Sequence, residues 1–176
     1  QRQMCIRDRT IIFLKMNSLT DRQLIDALKE ASQSGVKIKM IIRGICCILP
    51  GIEGKTDNIE VISVVGRFLE HSRIFCFGTG ENMKMYIASA DWMTRNTENR
   101  VEIAAPIYDQ KIKNSIYDTL RIMWKDNLKA RILCSDGTYK KPEIKEGDEL
   151  IDCQNYLRHE YKLSLIHISE PTRPLY

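Results

Sequence analysis

Several features that would assign a protein class at once are missing from this chain of 176 residues. No apolar run approaches the roughly 20 residues that cross a bilayer, so the sequence predicts no transmembrane segment. The six cysteines show no Cys-x-x-Cys spacing, which favours buried free thiols in a reducing cytosol over disulfides or a zinc site. Internal repeats and low-complexity segments are also lacking. These absences leave one ordinary globular domain as the expectation.

A strong excess of charge of one sign is absent as well. The net charge of +4 permits an anionic partner but does not require one. No basic stripe is interleaved with aromatic residues, which argues against nucleic acid as a partner. A non-catalytic polyanion-binding domain is kept as one alternative.

Apolar spacing predicts a strand, a helix and a second strand in the first third of the chain. Residues 10–15 form the first strand, and Thr20 with Gln23 reads as a capping box that opens a helix. Gly35 fits the end of that helix, and residues 36–42 form the next strand. A βαβ unit of this length makes the two strands parallel.

The remaining pattern alternates between strands and helices, so the predicted fold class is α/β, a mixed sheet covered by helices. A helix follows Asp109, with Ile112, Ile116 and Leu120 on its apolar face. The other expected elements are strands at 59–65, 101–106 (ended by Pro106) and 130–134, a hairpin at 71–88, a surface loop at 135–149 and a final helix from Glu149.

The segment at residues 66–73 carries the most informative side chains. His71 lies between Arg67 and Arg73, just before an apolar run, and the glycine turn of the hairpin brings the 89–91 loop beside it. A guanidinium offers phosphate oxygens a planar fork of donors, while an imidazole can donate, accept or attack. The alternative is a surface histidine in an ordinary charged turn.

Arg43 is a second candidate, because it follows the most apolar strand and precedes Gly44. Ligands in open α/β sheets bind beyond the carboxyl ends of the strands, which places Arg43 well for a phosphate. The alternative is an arginine that only pairs with a neighbouring carboxylate.

His71-x-Arg73, the small-residue loop after the hairpin and the sequence from Asn99 to Glu102 together resemble the phospholipase D-like superfamily. The resemblance implies that Glu102 orients the His71 imidazole; alternatively Glu102 is a surface strand residue. Arg73 stands where that superfamily has lysine, and the downstream aspartate is absent, which argues against a phosphodiesterase half. That reaction is kept as an alternative.

Four segments in order, at residues 15–19, 42–47, 66–73 and 89–93, resemble the ATP-dependent polyphosphate kinases. The resemblance implies the C-terminal catalytic domain, a phospholipase D-like half. Such a kinase reversibly transfers the γ-phosphate of ATP to inorganic polyphosphate through a phosphohistidine, here expected in a missing preceding domain.

The same resemblance implies the site residues and partners. His71 is the supporting histidine, Arg43 and Arg73 join it in binding nucleotide phosphate, and Arg67 with Arg100 extends a path for polyphosphate. Mg²⁺ is expected, with its ligands outside this chain, so no metal ligand is assigned here. The implied partners are ATP or ADP, polyphosphate, the missing N-terminal domains and further copies in a homo-oligomer. The implied location is the cytoplasm, free or peripheral at the inner membrane face.

Both ends of the chain resemble translated sequencing adapters, at residues 4–9 and 163–173. We therefore expect residues 1–9 and 163–176 to be non-native tails and residues 10–162 to be the domain, truncated at both ends. His167, in the second tail, is excluded as a candidate.

Overall fold

The computed structural model of the chain describes residues 11–168. Its strands are β1 (Ile11–Met16), β2 (Lys37–Ile42), β3 (Ile59–Ser63), β4 (Arg73–Phe77), β5 (Lys84–Ala88), β6 (Ala104–Ile107), β7 (Arg131–Leu133) and β8 (Tyr139–Lys140). Its helices are α1 (Arg22–Gln33), α2 (Thr94–Asn99), α3 (Gln110–Trp124) and α4 (Cys153–Ile168), with a short 3-10 turn at Gly80–Asn82.

The eight strands form one mixed sheet in the order β6-β5-β4-β1-β2-β3-β7-β8. Strands β1, β2 and β3 are parallel, and the neighbouring pairs β1–β4, β4–β5, β5–β6, β3–β7 and β7–β8 are antiparallel. One face of the sheet packs with α1, and the other packs with α3 and the start of α4. This arrangement confirms the α/β class, the parallel βαβ unit and the hairpin.

The start of α1 differs from the expectation. Asp21, not Thr20, caps the helix, and its carboxylate accepts a hydrogen bond from the Leu24 amide at 3.0 Å. The Thr20 amide instead donates to the Trp92 carbonyl at 2.8 Å, so Thr20 joins the loop after β5. At the other end, Gly35 has φ of 85° and confirms the predicted helix stop.

Four further expectations are corrected by the tertiary packing. β6 contains Pro106 rather than ending there, which is tolerated because β6 is an edge strand with no partner on its outer side. Ile112 is half exposed, since the sheet contacts of α3 lie nearer its end, at Leu120 and Met123. The final helix begins at Cys153 rather than at Glu149. The Asp126 carboxylate accepts a hydrogen bond from the Cys153 backbone amide at 2.8 Å, at the start of this helix. The expected surface loop also contains β8.

The cysteines within residues 11–168 are free. Cys76 and Cys153 are buried, and burial raises the pKa of Cys76 to about 12. Cys46 and Cys134 are half buried and Cys47 is exposed. The prediction that the cysteines are buried is therefore wrong for these three. Cys5 lies outside the described residues.

The expected tail at 1–9 lies outside the described residues, as do residues 169–176. α4 runs across the expected boundary after residue 162, and that boundary stays a prediction. In the part of the chain that the structure describes, no helix has both the length and the apolar character to cross a membrane.

Candidate functional site

Three of the candidate residues, Arg43, His71 and Arg73, lie at the end of the sheet where the carboxyl ends of β1, β2 and β5 meet. Arg43 follows β2, Arg73 opens β4, and Asp91 lies just beyond β5. Because β4 runs antiparallel to β1 and β5, its first residue lies beside their last ones; Arg73 pairs in register with Ala88. The prediction that the hairpin brings Arg73 and the 89–91 loop together is confirmed.

Asp91 is the centre of the polar contacts at this edge. Its buried carboxylate accepts from Arg73 Nε at 3.1 Å and Arg73 Nη2 at 3.0 Å, a two-point ion pair. It also accepts from the Asn17 backbone amide at 2.7 Å and from Asn17 Nδ2 at 3.2 Å. Burial raises the pKa of Asp91, but the hydrogen bonds from Arg73 and Asn17 outweigh it, so the pKa lies below its ordinary 3.8.

Arg43 is held at the same edge through Asn17. Arg43 Nε donates to Asn17 Oδ1 at 2.7 Å, and the Gly44 amide donates to the Asn17 carbonyl at 2.8 Å. Within residues 11–168 the two terminal nitrogens of Arg43 form no hydrogen bond with protein. One edge of the guanidinium is therefore fixed, and its terminal donors are available for a ligand.

A cavity of about 220 Å³ opens beside Arg43. Its wall is the 64–70 segment, which includes the exposed Arg67. The Arg67 guanidinium lies over the Phe68 ring, 5.6 Å from its centroid. The charged residues that line the cavity are two arginines, Arg43 and Arg67, and one carboxylate, Glu70, so cations outnumber anions there, which suits an anionic group.

The His71 imidazole is exposed next to this cavity wall. Arg73 Nη1 lies 3.2 Å from His71 Nδ1 and also donates to the His71 carbonyl at 3.2 Å. A guanidinium can only donate, so this contact makes Nδ1 an acceptor and leaves the proton of a neutral ring on Nε2. Arg73 therefore fixes both the orientation and the tautomer of His71.

The expected contact between Glu102 and His71 is not formed within the described residues. Glu102 is instead hydrogen-bonded to the Ser89 hydroxyl, which also accepts from the Ile103 amide at 3.1 Å. The structure gives the orienting contact to Arg73, whose place at the start of β4 puts it beside His71. Arg100 is exposed at the end of α2, and within residues 11–168 no hydrogen bond or ion pair joins it to the other site residues.

Sequence reasoning missed the role of Lys15. Its side chain is 2% exposed and donates to the Ser72 hydroxyl at 2.8 Å and the Ser72 carbonyl at 3.1 Å. It also lies 3.4 Å from Glu70 Oε2. A lysine inside the apolar run of β1, at an inward-facing position of the alternation, was the available signal.

Comparison with known proteins shows the family of the chain. Residues 3–154 match the family described as polyphosphate kinase C-terminal domain 2. The chain is 52% identical over 143 residues to polyphosphate kinase from Bacillus anthracis, covering 81% of this chain and 20% of the relative. It is 51% identical over 137 residues to polyphosphate kinase from Thermosynechococcus vestitus, covering 78% and 19%. The chain therefore spans about a fifth of the length of the curated relatives it matches.

Solved structures give the same result. The crystal structure of polyphosphate kinase from Porphyromonas gingivalis matches with a TM-score of 0.85 and 37% identity, covering 92% of this chain and 25% of that one. A phospholipase D family member, Nuc from Salmonella typhimurium, matches with a TM-score of 0.52 over 80% of this chain and 91% of that one. Its 15% identity supports the shared fold alone. The predicted phospholipase D-like fold is confirmed as a fold, and the chain belongs to the polyphosphate kinase C-terminal domain family.

Proposed function

We propose that this chain supplies the phosphate-binding half of a kinase site that reversibly transfers the γ-phosphate of ATP to inorganic polyphosphate. The phosphohistidine of that reaction would belong to a preceding domain of the longer protein. The observation that carries the proposal is the hydrogen-bonded chain from Arg43 through Asn17 and Asp91 to Arg73 and His71. It holds a guanidinium and an imidazole at one edge of the sheet, next to a small cavity lined by Arg43, Arg67 and Glu70.

Phosphoryl transfer needs positioning and charge neutralisation more than covalent work by the protein. The terminal nitrogens of Arg43 would bind nucleotide phosphate oxygens as a planar fork. His71, with Nδ1 accepting from Arg73, would present Nε2–H to the phosphoryl group in transit and stabilise its developing charge. Arg67 and Arg100 would guide the polyphosphate chain, because both are exposed cations near this edge.

The proposed role of Arg73 differs from the direct binding of nucleotide phosphate that the resemblance implies. Two of its nitrogens already bind Asp91, and its third faces His71. Its proposed contribution to phosphate binding is therefore indirect, through the position of the imidazole. Glu102 remains only a proposed aid to that positioning, since its described contact is with Ser89.

The other partners in the proposal come from the family. They are ATP or ADP, polyphosphate, the remaining domains of the same chain and further copies in a homo-oligomer, at a cytoplasmic location. Mg²⁺ would be held by residues outside this chain. Within residues 11–168 no group of three or more His, Cys, Asp or Glu could hold a metal ion, so no step is assigned to a metal here.

A chimera tests the proposal, with residues 11–162 replacing the matching segment of the Bacillus anthracis relative. Incubated with ATP labelled at the γ-phosphate, the chimera should form acid-insoluble labelled polyphosphate, whereas the isolated chain should take up no label on His71. A folded chimera that binds polyphosphate but makes none would favour the polyanion-binding alternative. Hydrolysis of a phosphodiester by the chimera, without phosphoryl transfer, would favour the phosphodiesterase half.

A further inference from the structure

Lys15 lies in a setting that is costly for an ammonium group. It is among the most completely buried large side chains of the described chain, and it faces the same side of the sheet as Phe13, the side that α3 and α4 cover. Burial lowers the pKa of Lys15, and the Glu70 carboxylate opposes that effect only in part. An apolar residue of similar size would avoid this desolvation cost. Stability alone therefore does not explain the lysine.

The contacts of Lys15 fall on the two residues that flank His71. Its ammonium donates to the Ser72 hydroxyl and carbonyl at 2.8 and 3.1 Å. On the other side it lies 3.4 Å from Glu70 Oε2. One buried cation thus binds the chain immediately before and immediately after the exposed imidazole.

Gln154, near the start of α4, holds the same segment from the opposite direction. Its Nε2 donates to Glu70 Oε1 and to the Phe68 carbonyl, both at 2.8 Å, and its Oε1 accepts from the Phe68 amide at 2.9 Å. Glu70 is shared between Lys15 and Gln154. The segment that carries His71 and lines the cavity beside Arg43 is therefore fixed both to β1 and to α4.

We propose that Lys15 is a positioning residue for His71, holding the Glu70 carboxylate before it and the Ser72 carbonyl and hydroxyl after it so that Nε2–H is presented at a constant place. Arg73 sets the tautomer and rotation of the His71 ring, and Lys15 sets the position of the chain segment that carries the ring. For its catalytic consequence the proposal rests on the proposed function; for the geometry of His71 it does not.

The test compares Lys15→Met with Lys37→Met. Lys37 is exposed at the start of β2, at the opposite end of the sheet, so it controls for loss of a lysine from a strand. Nuclear magnetic resonance of ¹⁵N-histidine-labelled chain reports the His71 imidazole directly. Lys15→Met should shift or broaden the His71 signals and leave those of His159 unchanged, while Lys37→Met should change neither.

Kinetics of the chimera provide the second readout. Misplacement of a reacting group by about 1 Å can cost roughly 100-fold, so we expect Lys15→Met to lower kcat by roughly 10- to 100-fold. The KM for ATP should stay within about twofold, because Arg43 is fixed through Asn17 rather than through Lys15. A purely structural lysine would not produce this split between kcat and KM.

A double variant guards against misfolding, since Lys15→Met leaves the half-buried Glu70 without its cation. Lys15→Met with Glu70→Gln removes both charges and retains an amide that Gln154 can contact. If the unsubstituted chimera is inactive, the proposed function fails, and the His71 signals still decide the positioning role. Unchanged His71 signals in either folded variant overturn the inference. Unfolding of both variants beside a folded Lys37→Met assigns Lys15 to stability alone and overturns it as well.

Discussion

Arg43→Ala is the substitution that tests the phosphate site most directly. In the structure Nε of Arg43 donates to Asn17 at 2.7 Å, and Arg43 lines the cavity of about 220 Å³. A hydrogen bond to a charged group contributes roughly 1.5–3 kcal/mol. Since about 1.4 kcal/mol corresponds to a factor of ten, catalytic efficiency of the chimera should fall by roughly one to two decades.

Arg43→Lys should recover only part of this loss. An ammonium keeps the charge, but it lacks the planar fork and the Nε–H that binds Asn17. Arg121→Ala is the matched control: Arg121 is exposed on α3 beside Ile11, at the opposite end of the sheet, and its contact with Asp118 is a surface pair of little energetic weight.

The assay is steady-state polyphosphate synthesis at varied ATP, on variants whose circular dichroism matches the unsubstituted chimera. The unsubstituted chimera and Arg121→Ala should have the highest catalytic efficiency. Arg43→Lys should have a lower efficiency, and Arg43→Ala the lowest. Arg43→Ala at the level of Arg121→Ala would refute the reasoning, because it would place the phosphate site away from this edge of the sheet.

Three further outcomes are expected. His71→Ala should lower kcat more than it raises the KM for ATP, whereas His71→Gln, which can still donate from its amide, should lose less; equal losses in kcat would argue against donation as the role. The folded-state pKa of Asp91 is below 3.8, so its stabilising contribution is complete above pH 3.8 and is lost as pH falls through the folded value. Urea unfolding should therefore show Asp91→Asn destabilised at pH 7, with the difference from the original chain shrinking at pH 3; a constant difference would contradict the coupling. Gly44→Ala should cost about 1–3 kcal/mol in the same assay, since a Cβ there would lie 2.8 Å from the Asn17 carbonyl, and an unchanged midpoint would contradict that close approach.

The sequence alone was enough for the local elements and for the family. Apolar spacing around Leu24, Ile25 and Leu28 gives α1, and the glycines between β4 and β5 give the hairpin, because both depend on contacts between residues near in sequence. The position of Arg43 after a buried strand follows from the same local pattern. The matching segments also identified the family before the fold was known.

Only the tertiary structure decided which of these side chains lie together at one end of the sheet. Asn17 and Asp91 are 74 positions apart, and they meet because β4 inserts its first residue between the ends of β1 and β5. That strand order depends on packing between residues far apart in the sequence. The apolar periodicity of a segment identifies a strand but not its neighbours in the sheet. For the same reason Arg73 pairs with Asp91, Glu102 with Ser89, and Lys15 with the residues around His71. A buried charge takes the partner that the fold brings within about 3 Å, because leaving it unpaired in a low dielectric costs several kcal/mol.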